Sequence, residues 1–258
     1  MCELFGISSD YPVTASQELD KFRLRGGQAA DNPDGWGLAW WENSTFHLSK
    51  EPIPAHQSTL FAQLCETTRS NLIIAHVRKA KFPPTRSMSN THPFQQMCCG
   101  KEWVFAHNGM VPDIVDIALS NDNPVCRPMG ETDSEHAFCH LLGHIAQHFH
   151  GMPSADTTTW FENLATVSGL VASLGQFNFV MSDGEHLIAY GHDRLHYLER
   201  PGSGQFDGLH ANSVLVATEP LDENKEWTAF EPGELRVYRA GRMVGRTMTQ
   251  PMSLAGKL

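Results

Sequence analysis

The chain has 258 residues, 19 Lys+Arg against 29 Asp+Glu, a formal charge of −10, and 41% hydrophobic residues, the proportions of a globular chain with a sizeable core. The acidic balance excludes bulk polyanion and nonspecific nucleic-acid binding, which rest on clustered Lys and Arg. No apolar run approaches the roughly 18 residues of a membrane span, and Glu3, Asp10, Glu18 and Asp20 stand where a secretory signal would be basic and then greasy, so a cytoplasmic protein with reduced thiols is expected.

From the N-terminus, Cys2 to Ser8 reads as a buried strand, and a helix follows over 15–24, stopped by Gly26-Gly27. Asn32-Pro33-Asp34-Gly35 is turn chemistry, and Trp36 to Trp41 reads as a strand. Residues 58–68 read as helix, 71–77 as an apolar strand, and 79–92, with Pro83 and Pro84, as a long loop. Trp103 to His107 is a strand running into Asn108-Gly109, a turn pair. From Thr132, Phe138, Leu141, Leu142, Ile145 and Phe149 mark one buried helix face, opened by a Thr132-x-x-Glu135 capping box. A second helix is expected over 158–174. Short strands follow at 177–182, 186–191, 195–198 and 213–219, with a hairpin over 234–246. Strands, two helices and strands again predict one α+β domain rather than alternating βαβ units.

The six cysteines, at 2, 65, 98, 99, 126 and 139, contain no C-x-x-C pair and fit neither a disulfide framework nor a zinc ribbon. Cys2 stands apart because removal of Met1 would make it the first residue. A thiol with a pKa near 8.5 needs a base to act as a nucleophile. An α-amine titrates at about 7.7–8.0, so a terminal Cys carries nucleophile and base on one residue.

Six blocks then occur in order: Met1-Cys2-Glu3-Leu4-Phe5-Gly6-Ile7, Asp34-Gly35-Trp36-Gly37, Ala75-His76-Val77-Arg78, Asn90-Thr91-His92-Pro93-Phe94, Ala106-His107-Asn108-Gly109 and Gly130-Glu131-Thr132-Asp133-Ser134-Glu135. This set resembles the class II glutamine amidotransferases, N-terminal-nucleophile hydrolases, and looks closest to stand-alone bacterial members without a synthase domain. The resemblance implies a four-layer αββα sandwich of two antiparallel sheets, formed as a single type 2 domain over 1–258 once Met1 is removed. It implies Cys2 as nucleophile, its freed amine as general base, and an oxyanion hole from the Asn108 side-chain amide and the Gly109 N–H. Two preorganised donors suit the oxyanion that forms when a side-chain amide is attacked.

By the same resemblance Arg78 would hold the α-carboxylate of glutamine, as a guanidinium fork suits a carboxylate, and Asp133 would hold its ammonium group. Asp133 also has a purely local reason to stand there, since an acid in a helix's first turn is favoured by the dipole and the cap. Thr91 and His92 match the family's Thr-His pair near the substrate carboxylate, although about ten more residues separate them from Arg78 than in synthase-fused members and Pro93 replaces a Gly. The expected reaction is hydrolysis of a γ-glutamyl amide through a Cys2 thioester, with no cofactor. The domain takes up nearly all 258 residues, so ammonia would be released or passed to a separate synthase partner. A specialised γ-glutamyl-conjugate amidohydrolase and a silent glutamine-binding regulatory subunit are the alternatives.

Three further patterns of charged and histidine residues extend beyond these blocks or cut across them. Arg78, Lys79, Lys81 and Arg86 form a positive stretch with no acid among them, suited to attracting a substrate carboxylate, to contacting a partner protein, or to lying solvated. His136, His140, His144 and His148, four apart, fall opposite the Phe138/Leu142/Ile145 face and are expected to be exposed, where an i, i+4 pair could chelate a transition metal incidentally. His76, His92 and His107 lack a recognised ligand spacing, and no catalytic metal is expected.

Overall fold

Alternation along the first strand sets the layering. In β1 (Glu3–Val13), Phe5 and Ile7 point to one side and join the core beneath α1 (Ser16–Leu24) and α2 (Thr59–Thr67), with Phe22 and Phe61. Leu4 points to the other side, into a core shared with Val104, Val180 and Leu187 of a second sheet. The period of two in a strand therefore carries both interfaces at once. The computed structural model describes residues 1–119, 125–149, 157–202, 212–223 and 226–249.

The remaining strands are β2 (Trp36–Glu42), β3 (Thr45–Glu51), β4 (Ser70–Val77), β5 (Phe94–Cys98), β6 (Lys101–Met110), β7 (Gln176–Ser182), β8 (His186–Gly191), β9 (His196–Arg200), β10 (Ser213–Ala217), β11 (Thr228–Ala229), β12 (Glu234–Arg239) and β13 (Arg242–Met248). Seven pair in the order β11-β9-β10-β1-β4-β2-β3 and six in the order β13-β12-β8-β7-β6-β5, with antiparallel pairing throughout. The outer face of the six-stranded sheet packs on α4 (Asp133–Phe149) and α5 (Thr157–Ala172), where Phe138, Leu142, Trp160 and Leu164 meet Phe105, Phe177 and Phe179; α3 (Ile114–Leu119) lies against α4. Helices, sheet, sheet and helices give the expected αββα sandwich.

Four readings need correction. Asn108 and Gly109 are not a turn but the end of β6, paired with Asn178 and Phe177 of β7; a turn-prone dipeptide is overridden by sheet register. The strands β3 and β5 and the short helix α3 carry little periodicity and were not anticipated. The histidine series on α4 is half-buried rather than exposed, because α3 and α5 flank the helix and cover more than one arc; the His140 and His144 rings lie 4.8 Å apart. Cys126 and Cys139 form a disulfide with Cα atoms 5.1 Å apart, against the expectation of reduced thiols; the fold lays the loop before α4 back along that helix, a proximity that spacing in the sequence does not reveal.

Candidate active site

Three strand ends converge where the two sheets meet: the start of β1, the end of β4 and the end of β6. Cys2, just before β1, accepts a hydrogen bond at Sγ from the backbone N–H of Lys79 at 3.2 Å, and its thiol faces the Lys79 carbonyl oxygen at 3.4 Å. Burial pushes the Cys2 thiol above its ordinary pKa, against the pull of the Lys79 N–H and the Arg78 guanidinium. The resting side chain is therefore a neutral thiol that needs a base.

Asn108 crosses from the other sheet. Its Nδ2 donates to the Cys2 carbonyl oxygen and lies 3.4 Å from Thr218 Oγ1, which itself accepts the Leu4 N–H at 2.8 Å. Behind it, Asn178 Nδ2 donates to the Asn108 carbonyl at 3.2 Å and to Asp193 Oδ1 at 2.6 Å, while Asn178 Oδ1 accepts the N–H groups of His192, Asp193 and Arg194. Gly109 has φ +149°, and a Cβ there would stand 1.8 Å from the Gln176 carbonyl oxygen, so only glycine fits.

A cavity of about 50 Å³ lies at this junction, lined by Cys2, Arg78, His92, Gly109 and Asp133, together with Met1, Lys79, Lys81, Phe82, His107 and Ser134 among others. Arg78 is 3% exposed at its floor, donating to the carbonyls of Thr85 at 2.7 Å and Pro83 at 3.2 Å, and so organises the loop that follows it. Asp34 fixes the same loop from below, accepting the Ala80 N–H at 2.8 Å and pairing with Arg86 at 2.5 Å. Asp133 accepts the Val111 N–H at 2.7 Å on Oδ2 and the Ser134 N–H at 2.8 Å on Oδ1. Each group keeps hydrogen-bonding capacity beyond these bonds.

The histidines form a buried polar wall. His92 Nδ1 meets His76 Nε2 at 2.9 Å, and His107 Nδ1 meets Ser134 Oγ at 2.8 Å. Burial holds His76 and His92 well below the usual histidine range; His107 is also lowered, its burial opposed by Asp133. Neutral imidazoles result. His92 Nε2, His76 Nδ1 and Asn108 Oδ1 are buried without a hydrogen-bond partner among the described residues.

Of the residues singled out in the sequence, Cys2, Arg78, His92, Gly109 and Asp133 thus share one cavity, and Asn108 joins them through the Cys2 carbonyl. Thr91 does not line it. Its hydroxyl donates to the Ser87 carbonyl at 2.7 Å and it packs against Gly35, so it shapes the loop from behind. Gly37 permits this passage, since a Cβ there would meet the His92 carbonyl at 2.1 Å. Sequence reasoning missed Asn178, Thr218 and Ser134; Ser134 lay within a quoted block, but the other two come from the C-terminal half without a local pattern.

The sequence model of the glutamine amidotransferases class-II family matches residues 1–255. The chain belongs to this family. It is 31% identical to a putative glutamine amidotransferase, YafJ, of Escherichia coli, over 95% of this chain and all of the relative. It is 26% identical to the γ-glutamyl-hercynylcysteine sulfoxide hydrolase of Mycobacterium tuberculosis strain H37Rv, over 76% of this chain and 71% of that one. The crystal structure of a predicted glutamine amidotransferase from Pseudomonas aeruginosa matches with a TM-score of 0.68 at 27% identity, over 95% of this chain and all of that one. Class II amidotransferase membership accounts for the two facing antiparallel sheets. No helix among the described residues is long and apolar enough to cross a membrane.

Proposed function

We propose that the protein hydrolyses a γ-glutamyl amide through a thioester on Cys2. The observation that carries this reading is the Asn108 side-chain amide reaching across the two sheets to the Cys2 carbonyl, with the thiol and the Gly109 backbone at the same cavity. Removal of Met1 frees the Cys2 α-amine, which takes the thiol proton, directly or through one water. The sulfur attacks the γ-carbonyl carbon, and Asn108 Nδ2 and the Gly109 N–H donate to the oxyanion. The C–N bond then breaks, the leaving amine takes the proton, and water hydrolyses the thioester to glutamate and restores the thiol.

The remaining donors of Arg78 bind the substrate α-carboxylate and the free lone pairs of Asp133 bind its ammonium group, with His92 lining the pocket and Thr91 holding the loop. Glutamine is the simplest substrate, and its ammonia leaves freely or passes to a separate synthase. Similarity to a γ-glutamyl hydrolase favours a second reading, in which the leaving group is a larger amine.

The test is release of ammonia or amine from glutamine and a panel of γ-glutamyl amides, using protein shown by intact mass to lack Met1. Cys2→Ala should abolish release, and Asn108→Ala should lower kcat by about 100- to 1,000-fold. Equal release by wild type and Cys2→Ala would overturn the mechanism.

A further inference from the structure

Charge at the cavity does not balance for glutamine. Three cationic side chains line it, Arg78, Lys79 and Lys81, against one lining carboxylate, Asp133. Lys79 is neutralised by Asp31 at 2.7 Å, and Arg86, the other cation of the loop, by Asp34. Arg78 and Asp133 together complement an amino-acid zwitterion. Lys81 is left over: among the described residues it has no ion pair or hydrogen bond, and its side chain is exposed.

Depth separates the two roles. Arg78 is buried at the floor, whereas Lys81, Phe82 and Met110 stand at the rim, the last two 44% and 43% exposed. A γ-glutamyl substrate seated with its amino-acid head on Arg78 and Asp133 therefore directs its leaving amine towards a cation flanked by apolar surface. Exposed apolar side chains beside an unpaired charge at a pocket mouth suit a group with both an acid and a hydrocarbon portion.

We propose that Lys81 is a specificity-determining residue that reads an anionic group on the leaving amine, so that the preferred substrate class is a γ-glutamyl amino acid with an apolar side chain rather than glutamine. The inference rests on the γ-glutamyl hydrolase reading above and adds the second half of the substrate to it. Lys81 lies in an exposed loop, and its replacement leaves the cores untouched.

The experiment compares γ-glutamyl-leucine with γ-glutamyl-isopentylamide, which has the same apolar tail without the carboxylate, using Met1-free protein. Wild type should prefer the acid in kcat/KM, and Lys81→Met should lower the acid-to-amide ratio by about three- to tenfold, through KM, with Lys81→Arg restoring it. Cleavage of both compounds without preference, a ratio unmoved by Lys81→Met, or a higher kcat/KM for glutamine than for γ-glutamyl-leucine would overturn the assignment of Lys81 and leave γ-glutamyl hydrolysis standing. Cleavage of neither compound, nor of glutamine, would overturn both.

Discussion

A methyl group on residue 109 would sit inside the van der Waals radius of the Gln176 carbonyl oxygen, on a backbone with φ +149°. Gly109→Ala should accordingly lower stability by about 2–4 kcal/mol, read as a shift in the urea midpoint, and lower activity as the backbone N–H moves. Asn178 is the second residue on which the site's geometry depends. Asn178→Ala removes the acceptor shared by three N–H donors of a half-exposed turn, those of His192, Asp193 and Arg194. A loss of about 1–2 kcal/mol in urea unfolding is expected, since water reaches part of the turn, with a lower kcat because the Asn108 backbone loses its support. At this scale legibility follows the locality of the signal. Cys2, Arg78, Asn108 and Asp133 sit in compact runs and could be picked out in the sequence. Asn178 and Thr218 could not, because only the pairing of β6 with β7 and the return of the chain after β10 set them beside Asn108.

Among the elements, the long strongly patterned ones were legible: α1, α2, α4, α5, β4 and β7 fall where periodicity and caps place them. The strands β3 and β5 were not, since their burial is partial and their partners are set by hairpin geometry. The capping box at the head of α4 is half of what its sequence implies. Thr132 Oγ1 accepts the Glu135 N–H at 3.2 Å, but the Glu135 carboxylate turns to the N–H groups of Met129 and Gly130, at 3.0 and 2.7 Å. Glu135 thereby ties down the segment leading into Thr132, Asp133 and Ser134, which line the cavity. Glu135→Ala should cost about 2–3 kcal/mol and speed amide exchange at 129–135, measured by hydrogen exchange with mass spectrometry. The Cys126–Cys139 disulfide holds the same segment covalently across a separation of 13 residues. Reduction should lower the unfolding free energy by about 2–3 kcal/mol, as loop-closure entropy for such a span predicts, and Cys139→Ser should show the same loss without reductant.

For the whole molecule, the buried histidines of the site add to the response to acid, alongside His136, His140 and His144, which burial also lowers. His76, His92 and His107 are held below 6.5 in the folded state by burial, so the unfolded chain binds more protons once pH drops beneath that value. Their contribution is complete above about pH 6.5 and is lost as pH falls, at up to about 1.4 kcal/mol per pH unit for each group and about 4 for the three. Urea titrations between pH 7 and pH 5 should show this steepening, and replacing His92 by Gln should flatten it. The αββα layering was itself legible only through the family resemblance, because alternation within single strands does not say which of the thirteen strands among the described residues pair. The longest-range of these pairings involves the segment that begins with the candidate nucleophile. β1 is the central strand of its sheet, pairing on one side with β4 and on the other with β10, so that Phe5 stands opposite Ala217. Joining strands so distant in sequence carries the largest loop-closure entropy of these pairings, so late formation of this pair is expected, to be checked by pulsed hydrogen exchange during refolding. Reactivity would then appear only with a completed fold, leaving a nascent or half-assembled chain chemically inert and making turnover a direct gauge of correctly finished molecules.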